Sequence, residues 1–174
     1  MEKEILIERQ SIQHRVNQLA VDIALEHHES NNPLPPVFVC VLNGGFMFFN
    51  DLIRALRKHK IDVEVDFIRI KSYNGRDNSN GPTIIKDFEV DLKGKRVYII
   101  DDMCETGTTL IEAVSMASSR VPADVKIVTM IERTNGKQLS DHVGFTIDTD
   151  NWLVGYGLDN NQLERTLEDI YTIN

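Results

Sequence analysis

The chain has 174 residues, 41% hydrophobic and 26% charged, a balance that excludes low-complexity, collagen-like and wholly disordered readings. This length suits one domain, residues 1–174, built on one core. Nineteen basic against 27 acidic residues leave a net charge of −8, a field that repels nucleic acid and anionic membrane, so neither is expected as a partner. Cys40 and Cys104, the two cysteines, show no CxxC or Cys/His spacing. A disulfide framework or a structural zinc site is therefore not expected, and the expected compartment is the reducing cytoplasm. The start, Met-Glu-Lys-Glu-Ile-Leu, has no basic flank followed by an apolar stretch, and the longest apolar run, Val37 to Leu42, is too short to span a bilayer. His14, His27, His28, His59 and His142 form no HExxH pattern and read as solvated side chains.

Ile12, Val16, Leu19, Ala20, Ile23 and Ala24 recur at three and four residues, which predicts an amphipathic helix from Ser11 to about His28 with Ser11 as its N-cap. Two asparagines and three prolines within residues 29–36 end it. Val37-Phe-Val-Cys-Val-Leu42 has the continuous β-branched pattern of a strand buried on both faces of a parallel sheet. Past Asn43-Gly44-Gly45 a helical pattern runs from Phe46 to about His59. Ile61, Val63, Val65 and Phe67 then alternate with Asp62, Glu64 and Asp66, which predicts a strand with one apolar and one wetter face. Residues 73–82 hold almost nothing apolar, a long polar loop of the kind used as a lid or a connection. A short strand at about Thr83–Phe88, a strand Arg96–Ile100, a helix Thr108–Ser119 and a buried strand Val125–Ile131 follow. A polar loop over 133–141 and a brief apolar segment, Trp152–Val154, close the pattern. Strands alternating with helices predict an α/β domain with a central, mainly parallel sheet. Ligands in such sheets sit at the carboxyl ends of the strands, which directs attention to the loops beginning at Asn43, Asp101 and Glu132.

The segment Val97-Tyr-Ile-Ile-Asp101-Asp102-Met-Cys-Glu105-Thr106-Gly107-Thr108-Thr109-Leu110 concentrates the chemistry. A buried strand runs into two carboxylates, and a turn of small residues then opens a helix. Glycine permits the tight turn, while threonine hydroxyls, free N–H groups and the helix dipole converge on one point, which suits a phosphate. The lysine of a Walker A loop is missing, and Gly155-Tyr-Gly157 lacks the third glycine of a dinucleotide fingerprint. Consecutive carboxylates at a strand end suit the vicinal hydroxyls of a ribose or a divalent cation. A bare Asp-Asp pair would read as a solvated acidic turn; the flanking strand, Glu105 and Thr-Gly-Thr-Thr favour a ligand.

This segment resembles the signature with which type I phosphoribosyltransferases bind 5-phosphoribosyl-1-pyrophosphate (PRPP). The wider resemblance, from Val37 to Arg165, is to the hypoxanthine/guanine phosphoribosyltransferases. It runs through Val41-Leu-Asn-Gly-Gly-Phe46, Asp66-Phe-Ile-Arg-Ile-Lys-Ser-Tyr73, Val143-Gly-Phe145 and Trp152-Leu-Val-Gly-Tyr-Gly-Leu-Asp159. It implies the type I fold: a central mainly parallel sheet flanked by helices, a small hood from the N- and C-terminal segments, and a mobile lid over about residues 72–82. It implies transfer of the phosphoribosyl group from PRPP to N9 of a 6-oxopurine, hypoxanthine first and guanine second. The products would be the nucleoside 5′-monophosphate and pyrophosphate, with Mg²⁺ on the pyrophosphate, and the assembly a homodimer or homotetramer.

Position by position, the resemblance implies ribose hydroxyls on Asp101 and Asp102 and the 5′-phosphate on Thr106, Gly107, Thr108 and Thr109. Glu105 becomes the carboxylate that exchanges a proton with purine N7 or supports the cation-like centre. Pyrophosphate falls to Asn43, Gly44, Ser72, Tyr73 and Arg165, and Mg²⁺ to Asp159 with Asp101 and Asp102. Trp152 takes the place of the aromatic residue that stacks on the base, and Leu153 that of the neighbour whose backbone reads its edge; without the resemblance a lone tryptophan reads equally as core. Cys104 reads as a packing residue, since no histidine is placed beside it.

The chain departs from the family pattern at three places. Glutamate stands at 105 where aspartate is common, and asparagine stands at 43 where lysine is usual, in a turn that often carries a non-proline cis peptide. The family lysine that donates to the purine 6-oxo group falls, in Ile131-Glu132-Arg133-Thr134, on Glu132, which as a carboxylate only accepts. With Glu132 and Arg133 both assigned to the base, three explanations stay open. Arg133 swings in and donates, the loop register is shifted, or the preferred base carries an amino group there. Altered base specificity is the expectation, with Glu132→Lys raising hypoxanthine turnover. The alternatives are a phosphoribosyltransferase for a different nucleobase, or a regulator sensing PRPP or nucleotide on the same fold.

Overall fold

The computed structural model describes residues 2–71 and 82–173; the expected lid and its residues Ser72 and Tyr73 lie outside them. One sheet contains β2 (Val37–Val41), β3 (Glu64–Lys71), β4 (Thr83–Lys86), β5 (Arg96–Cys104), β6 (Asp124–Arg133) and β7 (His142–Ile147), in the order β4-β3-β2-β5-β6-β7. Its pairs are parallel except β3 with β4. A smaller antiparallel sheet joins β1 (Lys3–Ile7), β9 (Ile170–Ile173) and β8 (Trp152–Val154) in the order β1-β9-β8. Helices α1 (Arg9–Glu29) and α2 (Phe46–Arg57) cover one face of the large sheet and α3 (Thr108–Ser118) the other. Every residue of β2 is buried for that reason, Phe38 and Cys40 toward α1 and α2, Val37 and Val39 toward α3. Each such side chain contributes about 1.5–3 kcal/mol relative to exposure. No helix among the described residues is long and apolar enough to cross a membrane.

Several local expectations need correction. Helix α1 begins at Arg9, so Ser11 is not its cap; Glu8 precedes it in extended conformation without a side-chain cap bond. The Arg9 N–H donates instead to Asp169 Oδ1 at 2.7 Å, so a distant carboxylate supplies the acceptor that a local hydroxyl would have offered. Strand β3 begins at Glu64 rather than Ile61, and its sides are reversed at Asp66. Val65 and Phe67 are 42% and 37% exposed, while Asp66 is 3% exposed. The Asp66 carboxylate accepts the N–H groups of Phe67, Glu89 and Val90 at 2.7, 2.7 and 3.0 Å and the Lys86 ammonium at 3.2 Å. Burial works to raise its pKa, but these donors outweigh it and hold the carboxyl below its ordinary range. The histidines are not all solvated: His142 Nε2 lies 2.9 Å from Glu26 Oε2, and burial lowers the pKa of His27.

Strands β5 and β6 also run further than their apolar runs. Asp101 pairs with Thr129 and Cys104 with Glu132, so residues expected in loops are strand residues whose side chains alternate between faces.

Candidate active site

The carboxyl ends of β5 and β6 and the start of β8 border a cavity of about 300 Å³, lined among others by Asp101, Asp102, Glu105, Arg133, Trp152 and Asp159. Its floor is the acidic pair at the end of β5. Asp101 is buried and accepts the Asp102 N–H at 2.9 Å. Burial, reinforced by the neighbouring carboxylate, pushes the Asp101 pKa well above the carboxylate range. Asp102 is also raised, chiefly by burial, against the lowering influence of Asp101, the Met103 N–H and the Arg165 charge. Two carboxylates so placed gain from any ligand that donates two hydroxyls to them or brings positive charge. The turn after β2 lies against this pair: a Cβ on Gly44 would overlap the Asp102 carboxylate, and the Leu42–Asn43 peptide is cis. Asn43 itself is exposed and stays outside the cavity lining.

Next along the wall, Gly107 caps α3 with φ +73° and no side-chain bond, a left-handed conformation that favours glycine. The Thr106 and Thr108 hydroxyls lie 3.1 Å apart at the same helix end, and Thr106 to Thr109 all line the cavity. The residues expected to hold a phosphate thus stand together at the start of α3, where free N–H groups and the helix dipole favour an anion.

Glu132, expected at the base, lies outside the cavity lining. Its side chain is buried beneath the loop that follows β6, where Oε1 accepts the N–H groups of Leu139 and Ser140 at 3.0 and 3.2 Å. Arg133, one residue on and therefore on the other face of the strand, lines the cavity instead. Its side chain is 5% exposed; Nη2 donates to Asn151 O at 2.8 Å, Nε lies 3.5 Å from Glu105 Oε1, and Nε and Nη1 have no hydrogen-bond partner. A buried guanidinium with unspent donors favours an acceptor in the cavity.

Trp152 does not belong to the core. It is 61% exposed at the start of β8, with its indole Nε1 donating to Asp159 O at 2.9 Å, and it borders the cavity beside buried Leu153. Asp159 also lines the cavity, but its carboxylate already accepts the Gln162 N–H and pairs with Arg165, both at 2.7 Å. Arg165 further donates to Gly157 O at 2.7 Å. Among the described residues no three His, Cys, Asp or Glu side chains converge as metal ligands. Cys104 is buried, donates to Lys137 O at 3.1 Å and has its pKa raised by burial and by Glu132, which suits packing rather than nucleophilic attack. Asp150 lines the cavity too; its one signal in the sequence is the polar turn at the carboxyl end of β7.

Residues 8–161 match the family model of the phosphoribosyl transferase domain. The chain belongs to that family. This phosphoribosyltransferase is 34% identical to the hypoxanthine-guanine phosphoribosyltransferase of Staphylococcus aureus over 98% of its own length and 93% of the relative's. It is 30% identical to the hypoxanthine-guanine-xanthine phosphoribosyltransferase of Tritrichomonas foetus over 97% and 93%. Among solved structures, the hypoxanthine phosphoribosyltransferase of Trypanosoma cruzi in complex with the product IMP superposes with a TM-score of 0.89 at 31% identity, covering 99% of this chain and 94% of the other. The type I fold read from the motifs is therefore the fold of the protein.

Proposed function

We propose that this phosphoribosyltransferase serves purine salvage, joining hypoxanthine or guanine through N9 to C1′ of PRPP with release of pyrophosphate. The similarity to hypoxanthine-guanine enzymes over nearly the full chain supports the reaction. The observation that carries the choice of base is Arg133, a buried cation in the cavity wall with donors to spare. A 6-oxo group accepts from it, whereas a 6-amino group would set donors against donors. Altered specificity at Glu132 is accordingly not needed, and Glu132→Lys is not expected to raise turnover, since it would place an ammonium among the loop N–H groups.

In this reading Asp101 and Asp102 hold the ribose hydroxyls and Thr106 to Thr109 the 5′-phosphate, while Trp152 stacks on the base and the Leu153 backbone reads its edge. Glu105, beside Arg133, accepts the N7 proton. Asn43, Gly44, Arg165, Ser72 and Tyr73 serve the pyrophosphate. The donor set suits Mg²⁺ on the Asp101–Asp102 side, where burial opposes ionisation of both carboxyls, the Asp102 charge adds to this at Asp101, and a cation would relieve it. Asp159 joins it only by releasing Arg165. Bound there, Mg²⁺ would neutralise the departing pyrophosphate. The small sheet of β1, β8 and β9 serves as the hood. A homo-oligomer is part of the proposal, with half-exposed Phe46, Val65 and Phe67 as apolar surface for it, as is a cytoplasmic location suited to two free thiols.

Titration with inosine and adenosine 5′-monophosphates tests the base assignment. Tighter binding of the inosine nucleotide, by tenfold or more, is expected; equal or reversed affinities would contradict it.

A further inference from the structure

The loop Thr106-Gly107-Thr108-Thr109 carries no positive charge, yet a phosphate monoester bound there brings a charge of about −1.5 to −2. The N-terminus of α3 offers about half an elementary charge, while Asp101, Asp102 and Glu105 stand on the same cavity wall. A cation stands close by, on the loop after β6. There the Lys137 N–H donates to Glu105 O at 2.9 Å, and Cys104 Sγ donates to Lys137 O at 3.1 Å. The side chains of this loop close over Gly107. A Cβ on that glycine would overlap Leu139 Cδ1 and stand 3.5 Å from Lys137 Cδ. Lys137 is exposed, and no carboxylate among the described residues forms an ion pair with it, in contrast to Lys126, which is paired with Asp141. The loop is clasped from beneath by Glu132, through the Leu139 and Ser140 N–H groups, and by the 2.8 Å contact of the Thr129 and Ser140 hydroxyls.

We propose that Lys137 supplies the positive charge of the 5′-phosphate subsite, and that Glu132 is a positioning residue that holds the loop carrying it. This rests on reading residues 106–109 as the 5′-phosphate cradle of a phosphoribosyltransferase. It gives Glu132 a task away from the base. A carboxylate at that point accepts two adjacent N–H groups at once, and a lysine there would accept none.

The test compares equilibrium binding of inosine 5′-monophosphate with that of inosine, which differs only by the phosphate. Lys137→Ala weakens the nucleotide by about 10- to 30-fold, the size of a lost charge-assisted contact, and leaves inosine within twofold; Lys137→Arg stays within about threefold on both. Glu132→Ala reproduces the nucleotide-selective loss. The Glu132→Ala/Lys137→Ala double variant loses no more than Lys137→Ala alone, because the two act through one contact. Glu132→Gln keeps an acceptor oxygen and most of the affinity, and its cycle with Lys137→Ala decides the positioning role should Glu132→Ala not fold. Equal loss for nucleotide and nucleoside, or no loss, in Lys137→Ala overturns the assignment of Lys137. Additive losses in both double variants overturn the positioning role. Wild-type protein that binds neither ligand contradicts the reading of residues 106–109 as the 5′-phosphate cradle of a purine nucleotide site.

Discussion

The Arg133 guanidinium and the Glu105 carboxylate approach to 3.5 Å in the cavity wall, placing a donor and an acceptor side by side. The edge of a 6-oxopurine presents the complementary pair, an oxygen that accepts and an N7–H that donates. Arg133→Met removes the donor, and kcat/KM for hypoxanthine should fall about 10- to 150-fold, the worth of a hydrogen bond to a charged group. Arg133→Lys keeps a cation but loses the planar fork that reaches Asn151, so it should lie between the two. Steady-state kinetics with both variants checks this, and an unchanged Arg133→Met enzyme would remove Arg133 from the base site.

Because Trp152 is mostly exposed, its truncation should spare the fold and strike the ligand. Trp152→Ala is expected to shift stability by less than about 0.5 kcal/mol while raising the KM for the base by about 5- to 100-fold, in line with base–aromatic stacking of about 1–3 kcal/mol. Trp152→Phe should recover most of the loss. Thermal melts beside KM measurements separate the two effects.

At Asp101 function and stability pull in opposite directions. A carboxyl whose pKa is raised in the folded state, here by burial and by Asp102, costs stability as pH rises above the unfolded value of about 3.9 through the folded one. Asp101→Asn should therefore stabilise the unliganded protein at neutral pH by an amount of order 1 kcal/mol, a few degrees in Tm, while abolishing turnover. The advantage should shrink as pH falls toward 4. Melting curves across that range check it, and a destabilised Asp101→Asn protein at pH 7 would contradict it.

Asp66 predicts the opposite pH dependence. Its carboxyl is held low by the Val90, Glu89 and Phe67 N–H groups and Lys86 against the pull of burial. Its contribution is complete above the unfolded value of about 3.9 and is lost as pH falls through the lower folded one. Asp66→Ala, which leaves three backbone donors without their acceptor, should cost about 2–4 kcal/mol at pH 7. The gap from wild type should narrow in acid, and denaturant melts at pH 7 and pH 3 measure it.

What the sequence reveals is what is local. β2 is a continuous apolar run, and the path from Val97 to Leu110 joins a strand, an acidic pair and a turn of small residues within one stretch of chain, so both are legible. The facing of side chains is harder to read, because it depends on where a strand ends. Extension of β6 through Arg133 assigns Glu132 to one face and Arg133 to the other, and a one-residue slip reverses that assignment. The same parity explains β3, where the alternation is legible but buried Asp66 reads as the wet side. Strands β1 and β9, of five and four residues, exist through pairing between distant segments, and the cap of α1 comes from Asp169. Tertiary partners of this kind leave no periodic trace.

The most direct test of the account is pyrophosphate release by the purified protein with PRPP and Mg²⁺, run in parallel with hypoxanthine, guanine, xanthine and adenine. Release with hypoxanthine and guanine, and none with adenine, is the predicted result. Release with adenine but not with hypoxanthine would contradict the role of Arg133, and PRPP binding without release from any base would contradict the enzymatic reading.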